Sequence, residues 1–69
     1  LNPVKIVLNG EPREFPAPLT VAELLAALQV PTRGVAVEVN CEIVPRHLHE
    51  QQQLQDGDRL EIVSLVGGG

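Results

Sequence analysis

The sequence predicts a small α+β domain, with one helix packed on one face of a sheet. Three observations carry that prediction: alternating apolar residues before an Asn-Gly turn, a capped helix in the middle of the chain, and a strongly strand-forming segment near the end. With 69 residues, 43% of them hydrophobic and 20% charged, the chain has room for one core.

Val4, Ile6 and Leu8 alternate with Lys5 and Val7 and run into Asn9-Gly10, a pair suited to the positive φ angles of a tight hairpin turn. The returning strand is Glu11 to Phe15, where Pro12 fits an edge position because it lacks an N–H for a second ladder. Thr20 and Glu23 form a Thr-x-x-Glu capping box. Val21, Leu24, Leu25 and Leu28 then follow at helical spacing, and Pro31 stops the helix near Gln29, after about three turns. Val35, Val37 and Val39 mark a third strand ending near Asn40. Between Ile43 and Leu54 the pattern is weak, and a short strand or irregular segment followed by a 3₁₀ turn is expected. Asp56-Gly57-Asp58 forms a turn, and Arg59 to Val66 is the last strand. Along it Leu60 and Ile62 face the helix while Val63 and Leu65 face outward, which predicts an apolar outer patch near the C-terminus.

Composition narrows the chemistry. The single cysteine excludes an internal disulfide, and one Cys with two His does not supply four zinc ligands. Phe15 is the sole aromatic residue, which excludes base stacking and aromatic cages. Nine acidic residues against five scattered basic ones give a net charge of −4 and argue against nucleic acid. No apolar run approaches the roughly 20 residues that span a bilayer, and no basic-then-apolar signal opens the chain. A soluble cytoplasmic protein with neither a nucleic-acid nor a membrane partner is expected.

Candidate chemical groups are few. Cys41 lacks a neighbour in sequence that would activate its thiol, and it reads as structural or incidental. His47 and His49 have no third ligand at a recognisable spacing and read as surface residues. Asp56 and Asp58 lack the remaining oxygen ligands of a calcium loop. Glu38, Glu42 and Glu61 alternate with apolar residues as a solvated sheet face does. No nucleophile and base pair can be assembled, so an enzyme is the least favoured class. The last three residues, Gly67, Gly68 and Gly69, are the unusual feature. A frayed end has this composition, but so does a tail that threads a narrow channel, reaching roughly 10 Å with no side chain to obstruct it.

The order of these elements and the glycine end together resemble the ubiquitin-like (β-grasp) sulfur carriers of thiamine biosynthesis, the ThiS family. The resemblance spans nearly the whole chain. It rests on Leu-Asn-Gly-Glu at residues 8 to 11, Thr-Val-Ala-Glu-Leu-Leu at 20 to 25, Gly-Val-Ala-Val-Glu-Val-Asn at 34 to 40, Glu-Ile-Val-Pro-Arg at 42 to 46 and Asp-Gly-Asp-Arg-Leu-Glu-Ile-Val at 56 to 63. The departures are His47-Leu48-His49, where relatives often carry an aromatic residue, and a third terminal glycine.

The resemblance implies a β-grasp domain over residues 1–66, with a mixed four- to five-stranded sheet on one main helix, and a flexible glycine tail over 67–69. It further implies that the Gly69 carboxylate is adenylated by an E1-like adenylyltransferase of the ThiF type, which uses MgATP. A thiocarboxylate then forms with sulfur from a cysteine desulfurase or another relay, and a thiazole synthase of the ThiG type consumes it. The carrier binds no cofactor of its own on this reading. Val63 and Leu65, with Arg59 and Glu61 as rim charges, are the expected docking residues. The alternatives are a carrier of the molybdopterin-synthase type or for another metabolite, and a non-catalytic β-grasp interaction module.

Overall fold

The computed structural model describes residues 2–65. Strands β1 (Val4–Leu8) and β2 (Glu11–Phe15) form the N-terminal hairpin, followed by helix α1 (Val21–Ala27). Strands β3 (Val35–Val39) and β4 (Glu42–Ile43) form a second hairpin; a 3₁₀ turn (Arg46–Leu48) and strand β5 (Arg59–Ser64) complete the order. The sheet runs β2-β1-β5-β3-β4. Strand β5, last in sequence, is therefore central, parallel to β1 and antiparallel to β3. Proline 12 lies on the β2 edge, where its missing N–H costs no ladder bond.

The inward residues of each strand meet one face of α1. Val4, Ile6, Leu8, Val37, Val39 and Leu60 pack with Val21, Leu24 and Leu25 in a single aliphatic cluster. Thr20 caps the helix as its spacing predicts: its Oγ1 accepts from the Glu23 N–H at 3.1 Å, and Glu23 Oε1 accepts from the Thr20 N–H at 2.8 Å.

The segment of weak pattern has a definite role at the same helix end. The Val21 and Ala22 N–H groups, which lack partners inside the helix, donate to the carbonyls of Gln52 and His49 at 2.9 Å each. This docking corrects one sequence-based expectation: His47 is exposed, but His49 is buried at 3% exposure. Its Nε2 lies 3.1 Å from the Val44 carbonyl, which fixes the proton on Nε2, and Nδ1 has no partner among the described residues. The 3₁₀ geometry also prevents the two histidines from sharing a face as they would on an extended segment.

The helix is shorter than expected, seven residues rather than about three turns. The Val30 N–H donates to Leu25 O and the Gln29 N–H to Ala26 O, a Schellman termination that places Gln29 at φ +59. The chain thus leaves the helix before Pro31 acts on it. The final strand as described ends at Ser64, two residues before the predicted Val66, which lies outside the described residues.

Among the described residues four side chains sit at positive φ, and two of them, Gln29 and Cys41 (φ +72), lack the tolerance for that region that Asn9 and Asn40 have. Replacing either by glycine relieves that cost against the added freedom of the unfolded chain, so Gln29→Gly and Cys41→Gly should each stabilise by about 0.5–1 kcal/mol. Urea unfolding checks this; a lower midpoint for both variants contradicts the assigned backbone.

Candidate functional site

Two hairpin turns fix the strand that leads to the C-terminus. Asn9 and Gly10 both have positive φ, as do Asn40 and Cys41, the requirement of two-residue hairpin turns of the type I′ class. In each turn the leading asparagine also reaches β5. Asn9 Oδ1 accepts from the Ile62 N–H at 2.8 Å, extending the parallel β1–β5 contact beyond its Val7↔Arg59 and Leu8↔Leu60 register. Asn40 Oδ1 accepts from the Arg59 N–H at 3.0 Å, and its Nδ2 donates to Asp58 Oδ1 at 3.0 Å. The Asp56-Gly57-Asp58 turn is tied in similarly, with Asp56 Oδ1 accepting from the Lys5 N–H and Asp58 Oδ2 from the Gln55 N–H, both at 2.8 Å. Both carboxylates are thus engaged in holding the turn.

With β5 fixed, alternation puts Arg59, Glu61, Val63 and Leu65 on the face of the sheet away from α1, and all four are exposed. Val63 is 51% exposed and Leu65 67%, confirming the outward apolar patch. Ala36 lies opposite Val63 and widens the patch on β3. One row further along, Glu38 stands opposite Glu61, and Ile43 of β4 stands opposite Glu38 on its other side. Ile43 is 65% exposed. Sequence reasoning missed Ile43 and Ala36 as parts of this face. The available signal was the Asn at position 40, which repeats the turn logic of Asn9 and sends Glu42–Ile43 back along β3.

At the Arg59 end, between the two turns, a groove of about 590 Å³ is lined in part by Asn9, Glu38, Cys41, Arg59 and Glu61. Cys41 is an exposed free thiol. Among the described residues no group of three or more His, Cys, Asp or Glu is placed to hold a metal ion, and no helix is long and apolar enough to cross a membrane. The expected tail residues Gly67, Gly68 and Gly69 lie outside the described residues.

The geometry agrees with what the chain is similar to. Residues 6–69 match the model of the ThiS family. A sulfur carrier protein ThiS of Escherichia coli is 35% identical over 66 residues, covering 96% of this chain and 100% of that protein. A crystal structure of a thiamine biosynthesis protein (ThiS) from Geobacter metallireducens superposes with a TM-score of 0.81 at 35% identity, covering 96% of this chain and 100% of that one. A thiazole synthase of Paramagnetospirillum magneticum contains a segment 53% identical to 96% of this chain, which spans only 20% of that protein's length. The sheet order, the single helix on its inner face and these matches make the fold β-grasp, and the chain belongs to the ThiS family.

Proposed function

We propose that the chain is a sulfur carrier for thiazole formation in thiamine biosynthesis, its cargo held as a thiocarboxylate on Gly69. The observation that carries this reading is a run of glycines at 67–69, which begins three residues after Ser64, the last residue of the strand that the two asparagine turns anchor. A carboxylate is a poor acyl donor. In the first step one Gly69 carboxylate oxygen attacks the α-phosphorus of ATP on an E1-like adenylyltransferase of the ThiF type, and pyrophosphate leaves. In the second, sulfide-level sulfur attacks the acyl carbon and AMP leaves, so sulfur replaces one oxygen; where a cysteine desulfurase or another relay presents it as a persulfide, the outer sulfur attacks, AMP leaves, and a thiol reductant then cleaves the acyl disulfide to the thiocarboxylate. A thiazole synthase of the ThiG type takes up the sulfur, and the carrier returns to the carboxylate. The magnesium, the nucleotide and the acid–base groups belong to the partners on this reading, and the carrier supplies an unhindered acyl group and a docking surface.

The similarity of one segment of a thiazole synthase to this chain supports the third partner, since it joins the two functions in one polypeptide. The docking surface follows from reach. From Leu65 to Gly69 is four residues, at most about 14 Å of chain, so an enzyme that encloses the Gly69 carboxylate lies against the Leu65 and Val63 end of the outer face. Arg59 and Glu61 stand farther back on the same strand as rim charges. Residues 1–66 form the body of the carrier and 67–69 its tail.

Incubation with MgATP, the activating enzyme and sulfide should add about 16 mass units to the intact chain, with the same gain in a Cys41→Ser control and none after deletion of Gly69. Absence of the gain with an active enzyme would favour a β-grasp binding module. Gly68→Val should cut the loading rate by about 100-fold or more while leaving the unfolding midpoint unchanged, because a Cβ there obstructs the approach of the backbone to the channel wall. Loading of this variant at the wild-type rate contradicts the threaded-tail reading.

A further inference from the structure

The β3–β5 ladder runs one rung past the named strands, at the point where the chain leaves the body. On the β1 side the register reaches Leu60 and the Asn9 amide reaches Ile62. The β3 side continues through Ala36↔Val63 and Val35↔Ser64, and the Leu65 N–H then donates to the Gly34 carbonyl at 2.7 Å. This bond carries the register one pair further, with Gly34 opposite Leu65. Arg33 and Gly34 form the turn that leads into β3, and Gly34 takes φ +75 there. At the second central position of such a turn this angle is open to glycine or asparagine and strained for other residues. The acceptor of the last rung is thus presented by a backbone conformation that the residue type at 34 decides.

We propose that Gly34 is a positioning residue for activation of the Gly69 carboxylate: by holding Leu65 it sets where the docking face ends and where the deliverable tail begins. This rests on the carrier reading above. With the rung made, Leu65 is the last fixed residue, exposed on the outer face with Val63, and four residues, at most about 14 Å of chain, separate it from Gly69. Bonded pairs alternate along an antiparallel ladder, so the next rung inward joins Ala36 and Val63. Opening the Gly34 rung therefore frees two residues at once. The free length grows to six residues, at most about 21 Å, and Leu65 leaves the apolar face with it. An activating enzyme that seats Leu65 and encloses the carboxylate together then meets only a fraction of chains in the binding arrangement, and the apparent affinity falls by that fraction. Once the tail is bound the enzyme itself holds it, so the loss appears in KM and not in kcat.

The test compares the wild type with Gly34→Ala, with Gly34→Asn, and with a chemically synthesised chain in which an ester replaces the Ser64–Leu65 amide, removing the Leu65 N–H and altering no side chain. Each is read by residue-resolved amide exchange, by thermal midpoint, and by steady-state loading with the activating enzyme, MgATP and sulfide. In Gly34→Ala the Leu65 amide should exchange about tenfold faster, and KM for the carrier should rise about fivefold or more with kcat within about twofold of wild type. Gly34→Asn should restore both toward wild type, since Asn9 and Asn40 already hold φ 48 and 53 in this chain. The ester chain should show the raised KM whether or not Gly34→Ala folds. A wild-type KM in the ester chain overturns the inference, as does a raised KM in Gly34→Asn whose Leu65 amide is protected as in wild type. A Gly34→Ala variant with a lowered midpoint, equal loss of protection at Leu60 and Leu65, and an unchanged KM shows a merely structural turn and also overturns it. If the wild type is loaded and the ester and Gly34→Ala chains load with its KM, this inference alone fails; if an active enzyme does not load the wild type, the carrier reading fails and this inference with it.

Discussion

The position of the central strand rests on two asparagine side chains that act as pieces of backbone. Strand β5 is the last to be made and must be fitted between β1 and β3. On the β1 side the named register covers only two residue pairs, and the side-chain Oδ1 of Asn9 continues the bonding by accepting from the Ile62 N–H. On the β3 side the side-chain Oδ1 of Asn40 accepts from the Arg59 N–H, while the main-chain N–H of Asn40 donates to the Arg59 carbonyl at 2.7 Å. Asparagine suits both sites for one reason: it tolerates a positive φ in the turn and its short amide reaches a neighbouring backbone. Each turn therefore reverses the chain and fastens the strand beside it.

A strand fixed in this way gives each of its faces a separate task. Leu60 contributes to the aliphatic cluster with α1, which supplies the burial that a chain of this size needs. The opposite residues point at solvent in a regular row that leads toward the C-terminus, with apolar side chains nearest that end and charges behind them. A carrier of this kind needs a rigid body with a defined exit point more than it needs reactive groups. The described residues fit that division: Glu23, Asp56 and Asp58 and the amides of Asn9 and Asn40 hold backbone in caps and turns, and relatives in the family to which the chain belongs are named sulfur carrier proteins.

Much of this was legible in the sequence where a side chain announces the backbone. Asn9-Gly10, the Thr20–Glu23 box and the alternating valines each have a local physical signature, and the structure reproduces all three. The outward set Arg59, Glu61, Val63 and Leu65 followed from strand alternation alone. The misses have a common cause. The helix ends on Gln29 in a conformation that glycine normally marks, and the second hairpin turns on Cys41, where glycine is again the usual signal. The segment between the 3₁₀ turn and β5 caps the helix through main-chain carbonyls, which leave no trace in residue type. His49 is buried because its backbone is placed there, so its polarity misled. Ile43 belonged to the site only once the second hairpin was known, and a strand of two residues is too short to show a period.

The two asparagines hold β5 as one unit with its neighbours. Amide hydrogen exchange read residue by residue tests it most directly. The Arg59 and Ile62 amides, whose acceptors are side-chain oxygens on exposed turns, should exchange only through global unfolding, with the same free energy as core β5 amides; in Asn9→Gly and Asn40→Gly the affected amide should lose about 1–2 kcal/mol of that protection. Rapid exchange of Arg59 and Ile62 in the wild type, at rates typical of exposed turns, would contradict the account.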